Sequence, residues 1–271
     1  MKRYHFIELH EQRWMPQFLR EYFVESLSAV LRMNRVYAGI PSLFARWLEE
    51  SGGRQVLDLA SGAAGPTAGL ISDLERMGLE PPEFCLSDLF PSVDKFDEWS
   101  RVHPGRISFI REPVNALCVG QPHGRELRQI VSAFHHFRPE QARLILEDAV
   151  RNSKGICILE PFRRDWLHLV IGVMTLFPAL IAPFFARRWK AGHFLTSVVV
   201  PVVPLMLVFD AVVSVLRCHS KSELQEMIDS LASDEFDWSL GSTRYLLIFS
   251  TAYVFGWRRA GVQGHEQLKA S

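Results

Sequence analysis

The sequence predicts an α/β protein: a doubly wound sheet with an antiparallel last strand, a helical N-terminal cover, and an apolar helical insertion before the final strand pair. Three observations predict it. Short apolar runs alternate with amphipathic stretches of helical period, the pattern of parallel strands joined by crossover helices. The first run empties into a loop of small residues, SGAAGP, as a strand does when it turns tightly into a helix. The chain then closes on two runs rich in aromatic and β-branched residues with no helix between them, which is the pattern of a hairpin.

From Trp14 to Leu48 the residues Phe18, Tyr22, Phe23, Leu27, Val30 and Leu31 recur at three and four positions, the spacing of one helix face, so the chain opens with a helical cover. Buried strands are predicted at Gln55–Ala60, Glu83–Asp88, Ile107–Ile110, Gln129–Phe134 and Gly155–Glu160, each a short, mostly apolar run. Helical or turn stretches lie between them at Pro66–Met77, Ser92–Arg101 and Pro139–Asn152, the last with Ala142, Ile145, Leu146 and Ala149 on one stripe. Two long apolar stretches follow, Trp166–Ala186 and Phe194–Leu216, around the basic loop ARRWKAGH. Ser220 and Glu223 then form a potential capping box for a helix to Leu231. Strands at Phe236–Leu240 and Tyr245–Phe255 are expected to meet at a turn over Gly241 and Ser242. The domain expectation is a cover over 1–50, a ligand-binding core of 51–162 plus 232–258, an insertion over 163–231 and a tail over 259–271.

With 271 residues, 48% of them hydrophobic, the chain can bury a large core and does not read as disordered. Thirty basic residues balance thirty acidic ones, so no global field draws it to nucleic acid, and no nucleic-acid partner is expected. Cys85, Cys118, Cys157 and Cys218 are widely spaced without a CxxC pair, and the opening MKRYHFIELHEQRW is too polar for a signal peptide. Both point to a cytoplasmic protein with reduced thiols. The ten histidines and the cysteines show no zinc-ligand spacing, so no metal is expected.

Trp166–Ala186 has 21 residues, which at about 1.5 Å each could just reach across a hydrocarbon core. Pro178, Pro183, Pro201 and Pro204 favour shorter segments. A spanning hairpin would also carry Arg187, Arg188 and Lys190 to the far side, against the positive-inside tendency. The expectation is therefore either a cap lining a lipophilic acceptor pocket or a monotopic contact through 166–216 at the cytoplasmic membrane face, with spanning disfavoured.

The stretch QVLDLASGAAGPTAGL over 55–70 carries the functional signal. A glycine turn between strand and helix offers unpaired N–H groups and the positive end of a helix dipole to a ligand. Gly62 lets the backbone approach that ligand, and Pro66 suits the first helical turn. Asp58 inside the strand, Ala60, Gly62 and Ala64 at alternate positions, Asn115 after the third strand and the closing hairpin together resemble the class I S-adenosylmethionine-dependent methyltransferases, with their Rossmann-like sheet. Their first motif runs acid, any, Gly, any, Gly, any, Gly. Ala60 is an ordinary variant of it, and Ala64 followed by Gly65 departs from it. The resemblance implies S-adenosylmethionine as cofactor and methyl transfer to a small lipophilic acceptor. It implies that Gly62 and its neighbours Asp58, Ala60 and Gly65 face the methionine part. It places Asp88 at the ribose hydroxyls, Asn115 beside the adenine, and Phe134 also among the cofactor contacts.

The fourth strand ends VSAFHHFRP, which puts His135 and His136 at the carboxyl edge of the sheet as candidate bases for an acceptor proton. Glu160 and Pro161 end the fifth strand there, and the N-terminal segment with Glu8, His10 and Trp14 is a candidate lid. Two other readings stand beside this one. AxGxxG at Ala60–Gly65 with Asp88 placed 23 residues later is also a weak dinucleotide fingerprint, which would make an NAD(P)-dependent oxidoreductase. The altered loop also permits a catalytically inactive, membrane-associated binding or scaffold protein.

Overall fold

The computed structural model describes residues 1–119, 127–186, 189–231, 233–245 and 249–259. Arg187, Arg188 and all but Arg259 of the expected tail lie outside the described residues. The chain divides into two compact units, the first made of Met1–Ala38, Pro161–Ser220 and Arg244–Thr251, the second of Gly39–Glu160, Lys221–Thr243 and Ala252–Ser271. The amphipathic N-terminal stretch folds as two helices, α1 (Gln17–Met33) and α2 (Pro41–Ser51). Arg35 turns left-handed at a φ of 48° and Pro41 restarts the helix at its first position, which breaks the single expected period. α1 belongs to the first unit and α2 to the second.

In the second unit the alternating runs become β1 (Gln55–Asp58), α3 (Gly65–Arg76), β2 (Glu83–Leu86), α4 (Val93–Val102), β3 (Ile107–Phe109), β4 (Leu127–Val131), α5 (Pro139–Asn152) and β5 (Gly155–Glu160). α5 and β5 fall where the sequence predicts them. β4 starts two residues early because Arg128, a polar residue hidden from periodicity, is fully buried and paired with Asp148 of α5. It also ends early: Ser132 turns at a φ of 57°, and Phe134–His136 forms a single 3₁₀ turn. The core joins Leu57, Ile130, Ile145, Ile156 and Val254 across the sheet and α5.

The insertion lies in the first unit as α6 (Trp166–Met174), α7 (Leu176–Ile181), a 3₁₀ turn Ala182–Phe185, α8 (Ala191–Phe194), a π turn Leu195–Val199 and α9 (Val202–Arg217). The prolines do what proline does at helix starts and breaks: Pro183 sits in the 3₁₀ turn, and Pro201 caps α9 after a 69° bend. Trp166–Phe185 is long and apolar enough to cross a membrane by length and composition. α9 is a different kind of element. It packs on α6, α7 and α1, and its carboxyl half carries a buried polar knot. Asp210 accepts from the backbone of Leu9 (2.6 Å) and from His10 Nδ1 (2.8 Å). Arg217 holds Glu8 (3.2 Å) and donates to the carbonyl of Phe6 (2.6 Å).

α10 (Lys221–Ser230), β6 (Phe236–Tyr245) and β7 (Phe249–Arg258) complete the chain. Gly241 and Ser242 do not form the expected turn: β6 runs through them to Tyr245, and residues 246–248 lie outside the described residues. The glycine answers a packing demand instead, since a Cβ there would meet the Tyr253 hydroxyl at 2.5 Å. The sheet order is β3-β2-β1-β4-β5-β7-β6, with β1 to β5 parallel and β7 antiparallel to β5. Strand order reverses between β1 and β4, which opens a crevice at their carboxyl ends, where doubly wound sheets keep ligands.

Candidate active site

The loop after β1 occupies that crevice. Ala60, Gly62 and Ala64 have φ values of 53°, 54° and 56°, so the three alternate positions of the motif are three left-handed residues. The turns between them are fixed by hydrogen bonds: Ser61 N–H to the Ser87 carbonyl (3.0 Å), Ser61 Oγ to the Asp58 carbonyl (2.7 Å), and Ala64 N–H to the Ser61 carbonyl (2.7 Å). A Cβ added at Gly62 would meet nothing within 4 Å, so this backbone faces open space. Trp99 clamps the far side by donating its indole N–H to the Ala63 carbonyl (2.9 Å).

Asp88 reaches this loop from the end of β2. Its Oδ2 accepts the Gly62 N–H (2.8 Å) and its Oδ1 the Phe90 N–H (2.9 Å). Its carbonyl accepts from Val114 (2.8 Å), which brings Asn115, exposed and turned by its own side chain onto Leu117 N–H (3.0 Å), to the same edge. Asp58 lies beneath the loop, fully buried, with Thr67 donating to Oδ2 (2.7 Å) and Gln129 donating to Thr67 (2.9 Å). Burial raises its pKa to about 6, opposed by the hydrogen bonds of Thr67, Gln129 and Ser61 and assisted by the charge of Asp88.

His135 and Glu160 meet at the ends of β4 and β5. The backbone N–H of His135 donates to Glu160 Oε1 (3.0 Å) and its Nδ1 lies 2.8 Å from Oε2. A carboxylate only accepts, so Nδ1 carries the proton. His136 is half-buried, and its ring stands 4.3 Å from that of His135. Two hands at one residue give the imidazole a fixed orientation.

No family model matches the chain, and no curated protein matches it. Solved structures do. The S-adenosylmethionine-dependent methyltransferase SibL, in its apo form, superposes with a TM-score of 0.56 over 94% of this chain and 63% of that one, at 14% identity. The plantazolicin methyltransferase BpumL, in complex with SAH, superposes with a TM-score of 0.53 over 90% of this chain and 98% of that one, at 10% identity. The chain has the class I S-adenosylmethionine-dependent methyltransferase fold. Its antiparallel β7, lodged between β5 and β6, agrees with that assignment.

Within the methyltransferase fold, Asp58, Ala60, Gly62, Gly65, Asp88 and Asn115 gather around one loop and its neighbouring strand ends, with Gly65 as the first residue of α3. Phe134 does not join them: its side chain is 1% exposed and belongs to the core beneath the sheet. The apolar residue ahead of two histidines reads as a site residue in sequence, whereas its position on the 3₁₀ turn points it inward. Glu8 and His10 are engaged by α9 within the first unit, and Trp14 is exposed. Glu8, His10 and Asp210 place ligand-type atoms within 4.8 Å of one another, but Glu8 is already engaged by Arg217 and Ser214, and Asp210 by His10 and the backbone of Leu9. Sequence reasoning missed Thr67 and Gln129, which orient Asp58. The available signal was polar residues inside an apolar strand and an apolar helix face.

Proposed function

We propose that the chain transfers a methyl group from S-adenosylmethionine to a small, lipophilic acceptor, with the cofactor held by the second unit. The observation that carries this reading is the left-handed loop Ala60–Ala64 at the strand-order reversal, open at Gly62 and tied to Asp88. Bound there, S-adenosylmethionine would supply a methyl group already activated by its sulfonium. The protein's part is then to align donor and acceptor and exclude water, and alignment of this kind is worth about 7 to 11 kcal/mol of barrier.

The carboxyl group of Asp88 suits a pair of ribose hydroxyls, and the amide of Asn115 can both donate to and accept from a base edge. Asp58 and Gly65 support the loop from below and from the helix start. His135, oriented by Glu160, serves as the acceptor-site base, with His136 beside it. An apolar acceptor is supported by the exposed aromatic and aliphatic side chains of the insertion. The nicotinamide-dinucleotide reading is weakened by alanine at the first loop position and by the antiparallel β7.

Calorimetry with S-adenosylmethionine, its demethylated product and NAD tests the reading directly. Binding of the first two and silence with NAD is the expected outcome; NAD binding alone would move the chain to the oxidoreductases, and silence with all three to a binding protein. Gly62→Val should abolish cofactor binding: its Cβ meets no neighbour within 4 Å, and the strain of a β-branched residue at a φ of 54° should lower the melting temperature while the protein still folds. Normal affinity in that variant would mean the ligand lies elsewhere. For His135→Ala, acceptor turnover should fall by about 10²- to 10⁴-fold, and in the parent protein the imidazole nitrogen signals should show Nδ1 protonated.

A further inference from the structure

The outward side of the insertion is an apolar stripe. Along Trp166–Phe185 the exposed residues Trp166, Val170, Val173, Phe177, Ile181 and Phe184 recur every three or four positions, which places them on one helix face. Ile171, Gly172, Ala179 and Ala182 turn the other way and are buried. Trp166 is 75% exposed, Phe177 and Phe184 are 61%, and Trp189 is 64%. Single apolar residues on a surface are ordinary, but a continuous stripe of large ones marks a contact. Between Trp166 and Phe209 the only charged residues of the sequence are Arg187, Arg188 and Lys190.

We propose that this face docks in the plane of an anionic lipid bilayer, with the stripe in the acyl boundary and the cations at the headgroups. Three observations select that occupant. The charged residues of this segment are all basic, which complements anionic headgroups; Lys190 is paired with Glu21 of α1 at 3.2 Å, whereas an apolar interface with a second copy would have to strip the arginines of water. Exposed tryptophans at Trp166 and Trp189 have the amphipathic rings that settle at headgroup depth. Spanning is opposed by α9, whose Asp210 and Arg217 are locked in the buried knot with the N-terminal segment, and the inner face of α6 is in van der Waals contact with α9, a Cβ at Gly172 lying 3.5 Å from the Ala211 backbone. Only one side of α6 is left for lipid.

The inference deepens the proposed lipophilic acceptor, since such a molecule partitions into the same bilayer. It is tested without cofactor, so its failure is separate from a failure of the calorimetry. The full chain is floated with vesicles of phosphatidylcholine, alone and with added phosphatidylglycerol. It should rise with the anionic vesicles and be released by salt. The variant Val170→Glu/Phe177→Glu/Phe184→Glu should lose affinity by about tenfold or more at an unchanged melting temperature. Trp189→Ser supplies a milder second variant should the triple one unfold, with the loss expected in the same direction. Wild-type protein that ignores both vesicle types overturns the proposal. So does full binding by a folded variant, or a dimer that the substitutions dissolve in the absence of any vesicle binding.

Discussion

Asp58 is a carboxyl group kept at a cost. Burial raises its pKa from 3.8 to about 6, so between those values the folded state binds more protons than the unfolded one and stability falls as pH rises. The fall is roughly 3 kcal/mol and is complete above about pH 6. Urea unfolding of wild type against Asp58→Asn across this range should show the extra slope only in the wild type; equal slopes would mean that Asp58 titrates normally. The alanines of the loop give a second residue-scale prediction. A left-handed alanine costs about 1–2 kcal/mol, glycine costs roughly 0.5–1 kcal/mol in unfolded-state entropy, and a buried methyl is worth about 0.8 kcal/mol. Ala60, half-buried, should therefore gain a few tenths of a kcal/mol on becoming glycine, while Ala64, buried, should come out near neutral. Thermal melts of both variants check the order. The motif positions were legible in the sequence, but that they share one left-handed conformation was not, because alanine does not announce it.

The antiparallel β7 depends on small residues at one crossing. A Cβ at Gly155 of β5 would lie 2.7 Å from the carbonyl of Gly256 in β7, and the indole of Trp47 donates to that same carbonyl at 2.9 Å. Gly155→Ala should cost about 1–3 kcal/mol by overpacking, seen as a melting temperature several degrees lower; an unchanged melt would mean that the strands part without penalty. Sequence periodicity located α5 and β5 to the residue, since both have uninterrupted apolar faces. It missed the start of β4, where Arg128 hides among apolar residues, and it misread Gly241 as a turn when the residue makes room for Tyr253. Glycine marks both turns and close approaches, and only the partner strand distinguishes them.

At the scale of the molecule, segments distant in sequence close each unit. The first unit is held by residues 6–11 against the carboxyl half of α9, and the Glu8–Arg217 pair there is almost wholly buried. Glu8→Gln removes the more deeply buried of two carboxylates on Arg217, leaving Glu11 at 3.2 Å, at a cost of about 1–3 kcal/mol. Hydrogen exchange should show the loss of protection in α9, and unchanged protection would mean that Arg217 is satisfied by its remaining partners. The sequence by itself determined the alternation of strands and helices, the antiparallel ending and the candidate loop, because those follow from apolar period and from small residues at a turn. Only the tertiary structure decided that α9 is a core helix while the preceding stretch turns a stripe outward, that Phe134 faces the core, and that Glu160 grips His135. Those depend on which distant side chain neutralises a charge or covers an apolar face, and the order of residues along one segment does not carry that information.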